Sequence, residues 1–239
     1  MRLRPIALVF SIFLIGTCLW GGPSVALKAD REHSSIKSAT VDYPEEHRKL
    51  LALAKKGVPK AQFKVGLAYQ LGRDVPKDYK KAAKWHLKAA ENGQPEAQYF
   101  LGELYLGGLG VEQSYKKARE WFSWSADQGF APAQFVLGLT YYHGMGVPKD
   151  NIKAAQWFFD AALHDYAPAQ AQLSRMHVLG EGVPRDMGEA IMWAELAASK
   201  DHDLGKKYRA FFENHFPSEV IAEGKRRASK CTKNWYLRC

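Results

Sequence analysis

The chain has 239 residues, 46% hydrophobic and 25% charged, with 20 Gly, 11 Pro, 3 Cys and 7 Trp. Those fractions sit near the average for soluble globular chains and exclude a disordered, collagenous or disulfide-dense protein. The formal charge is +9, from 34 Lys and Arg against 25 Asp and Glu, and its placement along the chain matters more than its sum.

Arg2 and Arg4 precede an uncharged apolar run, Ile6–Trp20, which Gly21-Gly22-Pro23 breaks. Ser24-Val25-Ala26 then offers small residues where a signal peptidase cuts. Residues 1–26 are expected to be a secretory signal peptide, which makes the chain exported, periplasmic or secreted. The other reading is an uncleaved inner-membrane anchor, although the run is shorter than the ~20 residues that span a bilayer. Ile15-Gly16-Thr17-Cys18 is a weaker lipoprotein-like site. Residues 27–42 are polar without apolar periodicity and read as a flexible leader. Residues 43–58 read as an N-terminal capping half-repeat, because Ala54 and Gly57 fall in register with Ala90 and Gly93.

A step of 36 residues organises the middle of the chain. It links Trp85, Trp121, Trp157 and Trp193, and likewise Gly72, Gly108, Gly144 and Gly180. Ala61-Gln62, Ala97-Gln98, Ala133-Gln134 and Ala169-Gln170 repeat at the same step. Each unit reads as two helices. In the first copy, Ala61, Val65, Gly66 and Tyr69 form an inward stripe, Pro59 suits a first turn and Gly72 a helix end. Asp78, Ser114, Asp150 and Asp186 stand as N-caps of the second helices. The small residues Gly66, Gly102 and Gly138 are expected to admit Ala82, Ala118 and Ala154. The four tryptophans are expected to fill the wider gap towards the next unit. One helix pair cannot bury both faces alone, so stacking creates the core.

After 204 the charge changes. Residues 205–239 carry nine Lys and Arg against three Glu, whereas residues 27–204 sum to +1. Leu204–Phe216 and Ser218–Lys230 read as C-terminal basic capping helices with Pro217 at the break. Lys225, Arg226, Arg227 and Lys230 form a basic patch with two readings. Either it solubilises the open end of the array, or it makes peripheral contact with an anionic envelope surface. No nucleic-acid partner is expected, since the charge is not spread over a binding face.

The pattern Ala-Gln-x-x-Leu-Gly-x-x-Tyr…Gly-x-Gly-Val-x-x-Asp-x-x-Lys-Ala-x-x-Trp…Ala-Ala resembles the Sel-one-like repeat, a relative of the tetratricopeptide repeat, over about 59–204. Copy one departs at Asp74, where glycine stands in the others, and copy four at Ser174 and His177. The resemblance implies an all-α fold, a right-handed α/α solenoid of four 36-residue repeats between capping helices. It also implies a protein-binding scaffold, and for exported members a role in the bacterial envelope.

Positions that change between copies are candidates for that binding. Position 64 reads Lys64, Phe100, Val136, Gln172, and position 67 reads Leu67, Glu103, Leu139, Arg175. Phe100, Glu103, Tyr142, His143 and Arg175 are therefore proposed to line a groove for a protein or peptide, on the helix that is concave in related solenoids. A solvated face with scattered apolar residues is the plainer reading.

Catalytic signals are weak. None of the eight His makes a His-Glu-x-x-His motif or pairs with Cys at zinc spacing, so no metal and no cofactor is expected. Ser34-x-x-Lys37 matches a minimal penicillin-recognising motif without its partner motifs. The alternative function is an envelope hydrolase of β-lactamase or peptidoglycan-acting type. Secreted relatives so described carry a cysteine pair in every repeat, and these repeats hold none. Cys231 and Cys239 either close a small disulfide loop around Trp235 or remain free or intermolecularly paired.

Overall fold

The computed structural model describes residues 44–233, and every regular element among them is a helix. The expected signal peptide and leader, with Ser34 and Lys37, as well as Trp235 and Cys239, lie outside the described residues. The helices are α1 (Glu45–Lys55), α2 (Pro59–Leu71), α3 (Tyr79–Glu91), α4 (Pro95–Gly107), α5 (Tyr115–Asp127) and α6 (Ala131–His143). They continue with α7 (Asn151–Leu163), α8 (Ala167–Leu179), α9 (Met187–Ser199), α10 (Asp203–His215) and α11 (Ser218–Lys233). The pairs α2/α3, α4/α5, α6/α7 and α8/α9 stack in order, each helix packed on its partner and on the neighbouring pair. The fold is an all-α solenoid of four repeats.

Local chemistry sets the helix ends. The first helices carry proline in their first turn and stop at Gly72, Gly108, Gly144 and Gly180, which hold φ between 65° and 72°. The second helices start where Asp78, Ser114, Asp150 and Asp186 accept the backbone N–H three residues on, at 2.9–3.3 Å. In units two and four the second loop glycine answers to packing. A Cβ at Gly110 or Gly182 would strike the backbone of Tyr79 or Asn151, at the start of the preceding second helix. Asp74 follows a lone half-repeat and carries its φ of 62° without that neighbour.

A row of buried amides joins the units. Nε2 of Gln62, Gln98, Gln134 and Gln170 donates to the carbonyls of Ala54, Ala90, Ala126 and Ala162 at 3.2–3.3 Å. Each bond runs from a first helix to the C-terminal turn of the helix before it.

Two packing expectations need correction. Trp85, Trp121 and Trp157 are only half-buried, and Trp193 alone is enclosed at 1% exposure. Trp121 packs against a cluster that holds Ala89 and Ala90, and Trp157 against one that holds Ala118, Phe122 and Ala126, so both indoles lean on their own and the preceding unit rather than the next. The neighbouring residues His86, Phe122 and Phe158 are the fully buried rings. A Cβ on Gly66, Gly102 or Gly138 would come within 2.5–2.7 Å of these rings, so the glycines make room for them and not for the alanines. In the fourth unit both partners change: Ser174 replaces the glycine and Ala194 the ring. Ser174 Oγ then donates to the Ala190 carbonyl at 2.7 Å.

The C-terminal end is closed by charge as well as by apolar contact. Arg227 on α11 reaches Asp186 at 3.2 Å and Glu189 at 3.0 Å on α9, and its Nε bonds Glu223 at 2.9 Å. Lys225 pairs with Glu213 at 2.8 Å, and Arg226 pairs with Glu223. The basic patch read from the sequence is thus mostly an ion-paired clasp, with Lys230 left exposed. Cys231 is buried and disulfide-bonded, its partner lying outside the described residues. Among the described residues no helix is long and apolar enough to cross a membrane.

Gly138→Ser alone should cost about 1–3 kcal/mol by overpacking, and Phe158→Ala about 3–5 kcal/mol by cavity formation. Together they rebuild the Ser174/Ala194 arrangement, so urea unfolding should find the double variant about 1 kcal/mol or more above strict additivity. Additive losses would mean that the ring does not sense position 138. His86 gives a second test. Burial pulls its pKa from 6.5 down to about 4, so between those values the unfolded chain binds a proton that the folded chain refuses. Stability is therefore complete above pH 6.5 and falls towards pH 4 by about 3 kcal/mol. His86→Phe, the residue type of the next two units, should flatten that acid slope in pH-dependent unfolding; an unchanged slope would exonerate His86.

Candidate functional site

Stacking in register brings one face of every first helix into line. Along it run Lys64, Phe100, Val136 and Gln172, then Leu67, Glu103, Leu139 and Arg175, none of them buried. α10 continues the same register, placing Tyr208 one step beyond Gln172 and Phe211 one step beyond Arg175. The unit at the N-terminal end leaves a cavity of about 410 Å³ between α1 and α2, lined by His47, Leu50, Lys64, Leu67 and Leu71.

The five candidate residues fall into two groups. Tyr142, His143 and Arg175 come together. Tyr142 donates its hydroxyl to Glu181 at 2.7 Å, and the Arg175 guanidinium lies 4.7 Å from the Tyr142 ring centre. Lys149 approaches the same ring at 5.3 Å, and His143 meets it edge-on at 5.0 Å. Arg175 is steadied by Gln172 at 3.2 Å and Glu181 at 3.8 Å. Burial first, then the charges of Arg175 and Lys149, hold the His143 pKa below its ordinary value. Burial raises the pKa of Tyr208, which also feels Arg175 and Tyr142. The result is an aromatic, net cationic cluster on half-exposed side chains.

Phe100 and Glu103 belong to another group, one unit earlier. Phe100 stacks on His86 at 5.7 Å and touches Phe63 and Tyr99 rings at 5.6 and 5.4 Å. It is therefore packing between units one and two rather than a free groove residue. Glu103 accepts the Tyr99 hydroxyl at 2.9 Å. Burial raises its carboxyl pKa, and burial with the Glu103 charge raises those of Tyr99 and Tyr166.

Lys149, Glu181 and Tyr208 were not singled out by sequence reasoning. Tyr208 could have been, had the 36-residue step been carried past residue 204. Glu181 and Lys149 sit in loops, where no periodicity points at them. Among the described residues no group of three or more His, Cys, Asp or Glu could hold a metal ion.

The Sel1 repeat model matches residues 59–94, 95–130, 131–166 and 167–202, more than half of the chain. The chain belongs to the Sel1 repeat family. A Sel1 repeat protein from Oxalobacter formigenes is 36% identical, with a TM-score of 0.64, over 68% of this chain and 47% of that one. A protective antigen of uropathogenic Escherichia coli strains with an SLR fold is 27% identical, with a TM-score of 0.50, over 80% and 50% of the two chains. The chain thus matches about half the length of these two proteins. No curated protein matches it. Sel1 repeats typically mediate protein–protein interaction, and the fold is typically a non-catalytic scaffold.

Replacing Arg175 removes one of two cations that face His143. Arg175→Gln should therefore raise the His143 pKa towards its ordinary value, read by NMR titration of the ring. An unmoved titration would show that the guanidinium charge does not reach His143.

Proposed function

We propose that this Sel1 repeat protein is a non-enzymatic adaptor exported to the bacterial cell envelope, holding a protein or peptide on the face of its first helices. One observation carries the reading. Gln62 and Ala82, with their counterparts in the other three copies, are identical and buried, whereas half-buried Tyr142 and Arg175 and exposed His143 gather at variable positions. Tyrosine and arginine are the side chains that most often dominate binding energy at protein interfaces. Here Tyr142 and Arg175 are already held in place by Glu181 and Gln172, so little ordering entropy is lost on binding. The apolar run at Ile6–Trp20 supports export.

A photo-crosslinker at His143 should capture a partner from the native envelope, while one at Asp160 on the second-helix side should not. Tyr142→Ala and Arg175→Ala should each weaken that partner's affinity about 10- to 30-fold with the melting temperature little changed. Affinity indifferent to both substitutions would move the partner to another face. Recovery of the chain only from the cytosol, with residues 1–26 intact by mass, would remove the envelope role.

A further inference from the structure

The near-neutral sum over the repeats conceals a split. Residues 44–94 carry 12 Lys and Arg against five Asp and Glu, whereas residues 95–202 carry eight against 13. Much of the excess stands on α3, where Lys80, Lys84 and Lys88 recur every four residues and are all exposed. None of these three has a carboxylate within 4 Å among the described residues; the neighbouring Lys81 has Asp78 at 3.3 Å. The column exists in one unit only. The later copies read Lys116, Ile152, Gly188 at the first of these positions and Glu120, Gln156, Met192 at the second. At the third they read Trp124, Asp160, Leu196.

Beside the column lies an apolar recess. A cavity of about 280 Å³ opens between α3 and the second unit, walled by Ala83, Leu87, Leu101 and Tyr105, with Lys80 and Lys84 at its rim. Larger side chains stand at the corresponding gaps of the next two units. Where unit one has Ala83, unit two has Arg119, which donates to the Gly146 carbonyl at 3.0 Å. In unit three Phe159 replaces Leu87 and meets Trp193 edge-on at 6.0 Å. Trp124 stands one repeat on from Lys88, half exposed, and Leu109 is exposed on the intervening loop.

We infer that this second-helix face of units one and two docks on an anionic phospholipid surface, with Lys80, Lys84 and Lys88 on the phosphates and the recess and Trp124 taking the apolar edge. Lysines beside an indole and an unfilled apolar wall match the layered chemistry of a bilayer boundary, with charge outside and hydrocarbon within. A nucleic-acid backbone would satisfy the lysines but has no aliphatic group for the recess. The tail cations are poorer candidates, since Lys225, Arg226 and Arg227 already have carboxylates. This surface is independent of the first-helix face and stands or falls without it.

The test is sedimentation of the full chain with neutral phosphatidylcholine vesicles and with vesicles containing phosphatidylglycerol. The readout is the difference between the two, which apolar insertion by residues 6–20 would not produce. Binding should require phosphatidylglycerol and weaken steeply with added salt. Each lysine is worth about fivefold, so the triple variant Lys80→Gln, Lys84→Gln, Lys88→Gln should lose about 100-fold. The same three positions changed to Arg should retain binding, as should Lys225→Gln with Arg226→Gln, and helical circular dichroism should be unchanged throughout. Four results would overturn the inference: equal binding to both vesicles, a triple Gln variant that binds like the wild type, displacement by inorganic phosphate, or capture of an acidic protein or nucleic acid by a chain that ignores vesicles.

Discussion

The structure depends on a side-chain amide buried where one helix ends against the next. The last carbonyls of an α-helix have no intrahelical donor, and in a stacked array those of each second helix face the next unit instead of water. The carbonyls of Ala54, Ala90, Ala126 and Ala162 accept the backbone N–H three residues on, and Gln62, Gln98, Gln134 and Gln170, all buried, add a side-chain donor to each. A buried carboxamide N–H without a partner is expensive. The amide N–H meets its acceptor in one register only, so the bond specifies alignment more than it adds stability. A unit slipped by one residue would strand the buried amide. This explains why glutamine recurs at a core position where an aliphatic side chain would bury more apolar area. At α10 the equivalent residue is Lys206, which turns to Asp201, and there the regular array ends.

Within a unit, fit is decided by a pair of positions rather than by a pattern. Helical periodicity assigns the second helix an apolar face, but Trp85 and His86 are adjacent and both border that face. The sequence pattern cannot say which ring goes inside, because a shift of one position turns the helix by only about 100°. The deciding constraint is across the interface, where the bare Gly66 leaves space for one ring and its Cβ would intrude on that ring. The information was present as a correlation, since glycine accompanies His86, Phe122 and Phe158, and Ser174 accompanies Ala194. Periodicity alone made the four identical tryptophans look like the core. Identity instead reflects a constant seat against the preceding unit, half open to solvent in the first three units and enclosed in the fourth.

The period, the helix ends and the caps were legible because each depends on residues within one or two turns. The terminal clasp was not. Arg227 meets Asp186 and Glu189 about forty residues away in sequence, and no local rule connects a basic run with acids on an earlier helix. The same contact makes sense of copy four. In the first three units Lys81, Lys117 and Lys153 lie over the rings of Tyr69, Tyr105 and Tyr141 at 5.3–5.5 Å. Unit four replaces that pair with Glu189 and His177, giving up a cation over a ring to gain a carboxylate for Arg227. Gly188 is part of the same adjustment, because a Cβ there would press on the arginine. What looked like decay of the repeat is adaptation to a closing helix.

The candidate site was legible in half its members for a related reason. Variation among copies marks surface freedom, and it brought Tyr142, His143 and Arg175 into view. It cannot separate freedom to bind from freedom to pack, however, because inter-unit contacts also differ from one junction to the next. Phe100 varies because it stacks on His86, and only the first unit has a histidine there. Arg175 varies because Tyr142 and Glu181 surround it in the last junction alone. Each repeat contacts only its neighbours, so one junction can acquire a charge cluster while another acquires an aromatic stack, with no penalty passed along the array. A solenoid fixed by buried glutamines is therefore free to carry unrelated surfaces on its two faces. Which residues serve a partner is decided by what remains half exposed after the junctions have taken what they need.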